Sequence, residues 1–207
     1  MDWIIIDEDY LDYLRSKESR IPFSDYGKEK FKPFFGILFE ENNLYYVTQI
    51  SHPQSRHERL KENIDFKKLY NPKNTSSLMA VVNLNYMFPV PKEYFDYLDL
   101  GNIEKHRKFN NEREKSKYID LLNSELKEIN KKGIAEDGRK LYELKNNYPE
   151  HSISKRCLDY KALEKAALLY NKKKTTTKSR LRWFKSHLNL WEIWDKRRDR
   201  KKRNGLI

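Results

Sequence analysis

The chain has a single cysteine, Cys157, in 207 residues. One thiol excludes an internal disulfide and cannot by itself build a thiolate metal site, so a reducing cytoplasm is the expected home. No run approaches the ~18 apolar residues of a membrane span. The N-terminus carries Asp2, Asp7, Glu8 and Asp9 where a secretion signal would carry positive charge, so a soluble, non-exported protein with no membrane partner is expected. Histidines are few and scattered: His52, His57, His106, His151 and His187 form no i, i+4 pair. A metal site is therefore not expected, although His52 and His57, five apart on a polar stretch, could share a ligand role. There is no Walker-type phosphate loop, no GxGxxG turn and no nucleophile elbow, which removes the usual nucleotide cradles and serine-hydrolase chemistry. No cofactor is expected, and no internal repeat occurs.

What the chain does have is positive charge, unevenly placed. Lysine and arginine number 43 against 31 acids, a net of +12. Lys172–Ile207 holds 14 of the bases and three acids (Glu192, Asp195, Asp199), which leaves the body nearly neutral. Clustered bases gain affinity for nucleic acid by releasing counterions from a phosphate backbone. The plainer alternative is a solvated tail that aids solubility.

The length suits one buried domain with appendages. Residues 1–91 read as sheet-rich and 92–171 as helix-rich, with 172–207 a basic, aromatic, helical extension packed on the same domain. Trp3–Ile6 reads as a buried strand, and Asp7 caps a short helix through Tyr10, Leu11 and Leu14. Residues 15–31, broken by Pro22 and Gly27, read as a long loop carrying Tyr26, Lys28 and Lys30 up to Lys32. The aromatic and β-branched runs 34–39 and 45–50 flank Glu40-Glu41-Asn42-Asn43 as a hairpin ending at a Ser51-His52-Pro53 corner.

Residues 54–77 are polar, with only Ile64, Phe66, Leu69 and Tyr70 available for packing. Beyond them, Val82, Leu84, Tyr86 and Phe88 alternate with asparagines as a half-exposed strand closed by Pro89 and Pro91. Ile119, Leu122, Leu126 and Ile129 define a helix that stops at Gly133, with Ile134 after it. Shorter helices follow over 137–147 and after Asp159. Trp183, Phe184, Leu188, Trp191 and Trp194 predict that the last segment, roughly 178–203, docks by an aromatic side and turns its bases outward. The expected class is α+β: a small antiparallel sheet or barrel surrounded by helices.

The polar and basic residues beside the strand ends suit RNA cleavage without metal. There the 2′-hydroxyl is the nucleophile, and the protein aligns it, moves its proton and neutralises the phosphate. In that reading Lys32 stabilises the phosphate, Ser51 donates to it, and His52 or Tyr26 shuttles the proton. Lys28, Lys30, Gln54, Arg56, His57 and Lys61 would contact RNA near the cut, and Lys178, Arg180, Arg182 and Lys185 would hold it from the tail. Each also has an ordinary structural reading: a surface lysine, a turn serine, a packed histidine.

The motifs, in order, resemble the ToxN/AbiQ family of type III toxin–antitoxin endoribonucleases, also described as abortive-infection proteins, with the AbiQ branch the nearest likeness. The carriers are Lys32-Pro-Phe-Phe-Gly-Ile-Leu-Phe-Glu40, similar to a Lys-x-Phe-x-Gly-Ile strand, and Ile50-Ser51-His52-Pro53, where relatives have a Leu-Thr-Ser-Pro-Lys type corner. Two further carriers are Val82-Asn-Leu-Asn-Tyr-Met-Phe-Pro-Val90 and Leu98-Asp-Leu-Gly-Asn102, and Cys157–Glu164 is similar to the family's last helix.

The resemblance spans roughly residues 1–170. It implies a strongly twisted antiparallel sheet of the MazF/Kid/CcdB type. It also implies cleavage of cellular or phage RNA to a 2′,3′-cyclic phosphate and a 5′-hydroxyl. The implied partner is a repeat-derived RNA antitoxin, folded as a pseudoknot, that inhibits the toxin in a protein–RNA hetero-oligomer. By position Lys32 matches the family's active-site lysine and Ser51 the first hydroxyl of the corner. His52 and Gln54 depart from the pattern, and Tyr26 aligns only with a loop aromatic. A non-catalytic RNA-binding protein, or an interaction protein docking by its aromatic tail, are the alternatives.

Overall fold

A four-residue apolar run this close to an N-terminus needs cover on both sides, and Trp3–Ile6 (β1) obtains it by lying inside a sheet. The computed structural model describes residues 1–23 and 34–170. In it β1 pairs antiparallel with Phe34–Glu41 (β2) through Trp3↔Gly36 and with Phe95–Tyr97 (β8) through Ile6↔Phe95. Asp7 then caps Glu8–Arg15 (α1), accepting from Tyr10 N at 3.2 Å, and Tyr10, Leu11 and Leu14 are buried as their spacing predicts. The Tyr10 hydroxyl donates to Pro89 O at 2.7 Å, fixing α1 to the far edge of the same sheet.

β2 turns at Asn42-Asn43, with φ of 51° and 62°, into Leu44–Thr48 (β3). Two left-handed residues in succession make a turn whose twist matches the strands, and asparagine tolerates that region better than other side chains. The five-stranded sheet runs β7-β3-β2-β1-β8, β7 being Phe88–Pro91. A second sheet, β4-β6-β5, is formed by Ile50–Ser51 (β4), Phe66–Asn71 (β5) and Asn74–Asn83 (β6). The antiparallel sheet core surrounded by helices is thus as expected, but the described strands form two sheets and not a closed barrel.

Two strand assignments differ from expectation. β5 was hidden by Lys67 and Lys68, yet the first pairs with Asp137 at 2.7 Å and the second, buried, donates from Nζ to Glu58 O at 2.8 Å. Long lysine stems bury while their charged ends find partners, which defeats a simple apolar–polar pattern. The alternation across 82–88 is no single strand: β6 stops at Asn83 and a 3-10 turn occupies Leu84–Tyr86 before β7 begins. Pro89 and Pro91 lie within β7, an edge strand, where a missing N–H leaves no ladder bond unmade. A short helix Ser55–Arg59 (α2) also lies at the start of the polar stretch 54–77.

Glu112–Lys131 (α3) is capped by Asn111, which accepts from Glu114 N at 2.9 Å, and buries Leu122 and Ile129. The chain reverses at Gly133, φ 65°, into Ile134–Asn147 (α4), three residues earlier than the acidic start at Asp137 suggested. α4 packs closely on β2: a Cβ at Gly138 would meet Leu38 Cδ1 at 3.3 Å. The last helix among the described residues (α5, 160 up to 170, where they stop) follows Asp159, whose carboxylate accepts from Ala162 N at 3.0 Å. Met1–Ala167 forms one unit and Leu168–Ile207 a second, of which only 168–170 are described. Among the described residues no helix is long and apolar enough to cross a membrane.

Candidate active-site cleft

Where β3 ends and β4 begins, the chain passes from one sheet to the other. The register Gly36↔Thr48 brings the start of β2 toward this crossing, and Ile50↔Val82 and Ser51↔Val81 join it to β6. A cleft of about 280 Å³ opens there, walled by Thr48, Gln49, Ser51, Asn83 and Tyr86 on the sheet side and by residues 19–23 on the other.

Most of the wall is tied down by hydrogen bonds. Thr48 Oγ1 donates to Asn83 O at 3.3 Å, and Gln49 Nε2 donates to Phe23 O at 2.9 Å. Arg15 Nη1 reaches Pro22 O at 3.1 Å while its guanidinium lies 4.6 Å from the Phe23 ring centre. Arg20 donates to Glu18 through Nε at 3.0 Å and Nη2 at 2.8 Å, and through Nη1 to Arg156 O at 3.3 Å. The Glu18 carboxyl is held below its ordinary range by that arginine. Arg20 is the only cation among the described lining residues, and its charge is already paired.

Ser51 is half-buried in this wall and its hydroxyl has no hydrogen bond among the described residues, so it is available to a ligand. His52 follows it but is exposed and does not line the cleft. Gln54, Arg56 and Lys61 are likewise exposed, outside the cleft.

His57, expected to contact RNA, is 5% exposed; its Nδ1 accepts from Gln54 N at 3.0 Å, and its ring packs 5.9 Å from Phe66. A neutral imidazole accepts at one nitrogen only; the 3.0 Å bond from Gln54 N takes Nδ1, so the Arg56 Nε–H that points at Nε2 from 3.4 Å does not add a second full hydrogen bond. Burial first, then Arg56 and Lys68, push its pKa below the ordinary histidine value. It caps α2 as a neutral ring and is withdrawn from the surface.

Tyr26, Lys28, Lys30 and Lys32, and Lys178, Arg180, Arg182 and Lys185, lie outside the described residues. Among the described residues no three His, Cys, Asp or Glu side chains come together in a way that could hold a metal ion.

The cleft residues that the sequence did not single out are Thr48, Gln49, Asn83 and Tyr86; the 19–23 wall belongs to the 15–31 loop. The signal for Tyr86 was misread: an aromatic in an apparent strand alternation looks like core, and only the 3-10 turn after Asn83 turns it outward.

A curated relative, endoribonuclease ToxN of Pectobacterium atrosepticum, is 28% identical over 105 residues; the aligned stretch spans 50% of this chain and 61% of that protein. Three solved structures share the fold. AbiQ, a lactococcal anti-phage endoribonuclease of the type III toxin–antitoxin class, superposes with a TM-score of 0.66 at 19% identity, covering 83% of this chain and 98% of that one. A structure from work on a processed non-coding RNA that regulates a bacterial antiviral system gives 0.65 at 21%, covering 80% and 96%. One from work on selective toxin inhibition by a non-coding RNA pseudoknot gives 0.63 at 19%, covering 82% and 97%. The sequence matches the profile of the family described as toxin ToxN, type III toxin–antitoxin system, over residues 3–168. With that match spanning nearly all of the described fold, the chain belongs to the ToxN family of type III toxin–antitoxin toxins.

Proposed function

We propose that this chain is a metal-independent endoribonuclease toxin, restrained by a repeat-derived RNA pseudoknot and acting in abortive phage infection. The family match over residues 3–168 carries the reading, and the cleft at the β3–β4 crossing supports it chemically. The 2′-oxygen attacks the adjacent phosphorus; the P–O2′ bond forms, the P–O5′ bond breaks, and the products are a 2′,3′-cyclic phosphate and a 5′-hydroxyl.

Among the hydroxyls of the cleft wall, Thr48 is committed to Asn83 O, whereas Ser51, at the β4 end, is open to a phosphate oxygen. Lys32, two residues before β2, supplies the charge that the paired Arg20 cannot. Preorganised donors at a developing oxyanion are worth roughly 3–4 kcal/mol each. His52 or Tyr26 carries the proton, and the basic tail from Lys172, with Lys178, Arg180, Arg182 and Lys185, grips RNA by counterion release.

The test is incubation of the purified chain with RNA in EDTA, followed by end-group analysis, alongside Lys32→Ala and Ser51→Ala. Cyclic-phosphate ends from the wild type and their loss in both variants are expected. RNA that is bound but left intact would favour the non-catalytic alternative, and undiminished cutting by both variants would remove this site. Addition of the cognate repeat RNA should stop cleavage.

A further inference from the structure

The cleft has a wall that the chemistry of phosphate cleavage leaves unused. Tyr86 is a large aromatic, 38% exposed, lining the cleft that Ser51 also lines. It belongs to a turn that is fastened on both sides: Leu84 and Met87 are fully buried, Leu84 N donates to Asp65 O at 2.9 Å, and Met87 N to Leu84 O at 3.0 Å. Leu158 N donates to Asn85 O at 3.0 Å, from the chain leading into α5. An aromatic that a strand would have buried is therefore held at the surface by a turn with little freedom to move it.

Beside it Asn83 also lines the cleft; its backbone carbonyl is taken by Thr48, while its side-chain amide has no hydrogen bond among the described residues. Phe23, 52% exposed, and Arg20 line the same cleft.

We propose that Tyr86 and Asn83 form a nucleobase subsite: an unpaired base of single-stranded RNA, next to the scissile phosphate, stacks on the Tyr86 ring and presents its edge to the Asn83 amide. This rests on the ribonuclease reading of the same cleft. Three observations favour a base over other occupants. The volume, about 280 Å³, lies just under the ~300 Å³ at which pockets for drug-sized ligands begin, so the cleft suits a single planar ring. Its only described cation is already paired with Glu18, so this wall is poor in the charge a phosphate would need. An exposed, rigid ring beside an unused amide is the pairing by which proteins read splayed-out bases, stacking for grip and amide for identity.

The test uses a single-stranded RNA whose cut position has been mapped. Tyr86→Ala should lower kcat/KM on the order of ten- to a hundredfold, the span that loss of one base–aromatic stack produces. Tyr86→Phe and Tyr86→Trp should stay within about threefold, and thermal stability should be unchanged in all three. Removing the base from one nucleotide beside the cut should cost the wild type the same factor and cost Tyr86→Ala nothing further. Asn83→Ala should flatten the base preference at that nucleotide alone.

Equal cleavage by wild type and Tyr86→Ala, or base removal that remains fully additive with it at every flanking position, overturns the proposal. If the wild type cuts no RNA, it is the ribonuclease reading that fails. The subsite is then decided by fluorescence of 2-aminopurine in bound RNA, whose quenching must be present in the wild type and absent in Tyr86→Ala, or the subsite falls as well.

Discussion

Glu164 offers a demanding check on how the helical part is fastened to the sheet. Its Oε1 accepts from the Tyr46 hydroxyl at 2.8 Å and from the Tyr142 hydroxyl at 2.6 Å, and Lys161 Nζ bonds Tyr142 at 2.6 Å and Glu164 Oε2 at 3.0 Å. Tyr46, fully buried on β3, sits among Phe39, Tyr142 and Tyr160 with ring centres 4.9–5.7 Å away. Glu164→Ala removes two bonds to a carboxylate and leaves the Tyr46 hydroxyl unpaired in the core.

At roughly 1.5–3 kcal/mol for each hydrogen bond to a charged group, Glu164→Ala should cost about 4 kcal/mol. The half-exposed Lys161 contact adds little. Tyr46→Phe should cost about 2 kcal/mol, and because it removes the group that Glu164→Ala orphans, the double variant should cost about 2 kcal/mol less than the sum. Urea unfolding of the four proteins measures the cycle, and the single Glu164 variant should melt about 10 °C lower. Additivity within about 0.5 kcal/mol would refute the network as a coupled unit. Burial, and then Glu164, push the Tyr46 pKa upward. The folded state therefore keeps a proton that the unfolded tyrosine releases near pH ~10, and stability should fall as pH rises through that value.

The same linkage runs the other way at His57. Its pKa is depressed in the folded protein, so stability is fully present above the unfolded value of about 6.5 and drains away as pH falls toward the folded one; in His57→Gln that slope should vanish from urea titrations between pH ~7 and 5. Gly133→Ala places a side chain at φ 65° with open space around it, so a loss of about 1 kcal/mol from backbone strain alone is expected in the same assay. Truncation after Asn171 should weaken RNA affinity and flatten its dependence on salt, read from binding isotherms at several ionic strengths; an unchanged slope would mean that the tail bases do not meet phosphate.

The sequence was most legible where a local rule had no competitor. Asp7 before an apolar stripe, Asn42-Asn43 between aromatic strands and Gly133 after a three-four pattern each fix backbone geometry within a few residues, and all three appear as expected. It was least legible where tertiary contacts changed what a residue meant. Lys67 and Lys68 spoke against a strand until Asp137 and the Glu58 carbonyl supplied partners. His57 looked like a surface base until the Gln54 N–H and the Phe66 ring enclosed it.

For this protein the sequence by itself determined the α+β class, the surest helices, the position of the Ser51 corner and, through motif order, the family. Each of these depends on spacing or on residue type. Only the tertiary structure decided that Ser51 shares a cleft with Asn83, Tyr86 and the 19–23 wall. That convergence arises because β4 leaves one sheet to pair with β6 in another, and a pairing between residues some 30 positions apart leaves no mark in any local pattern.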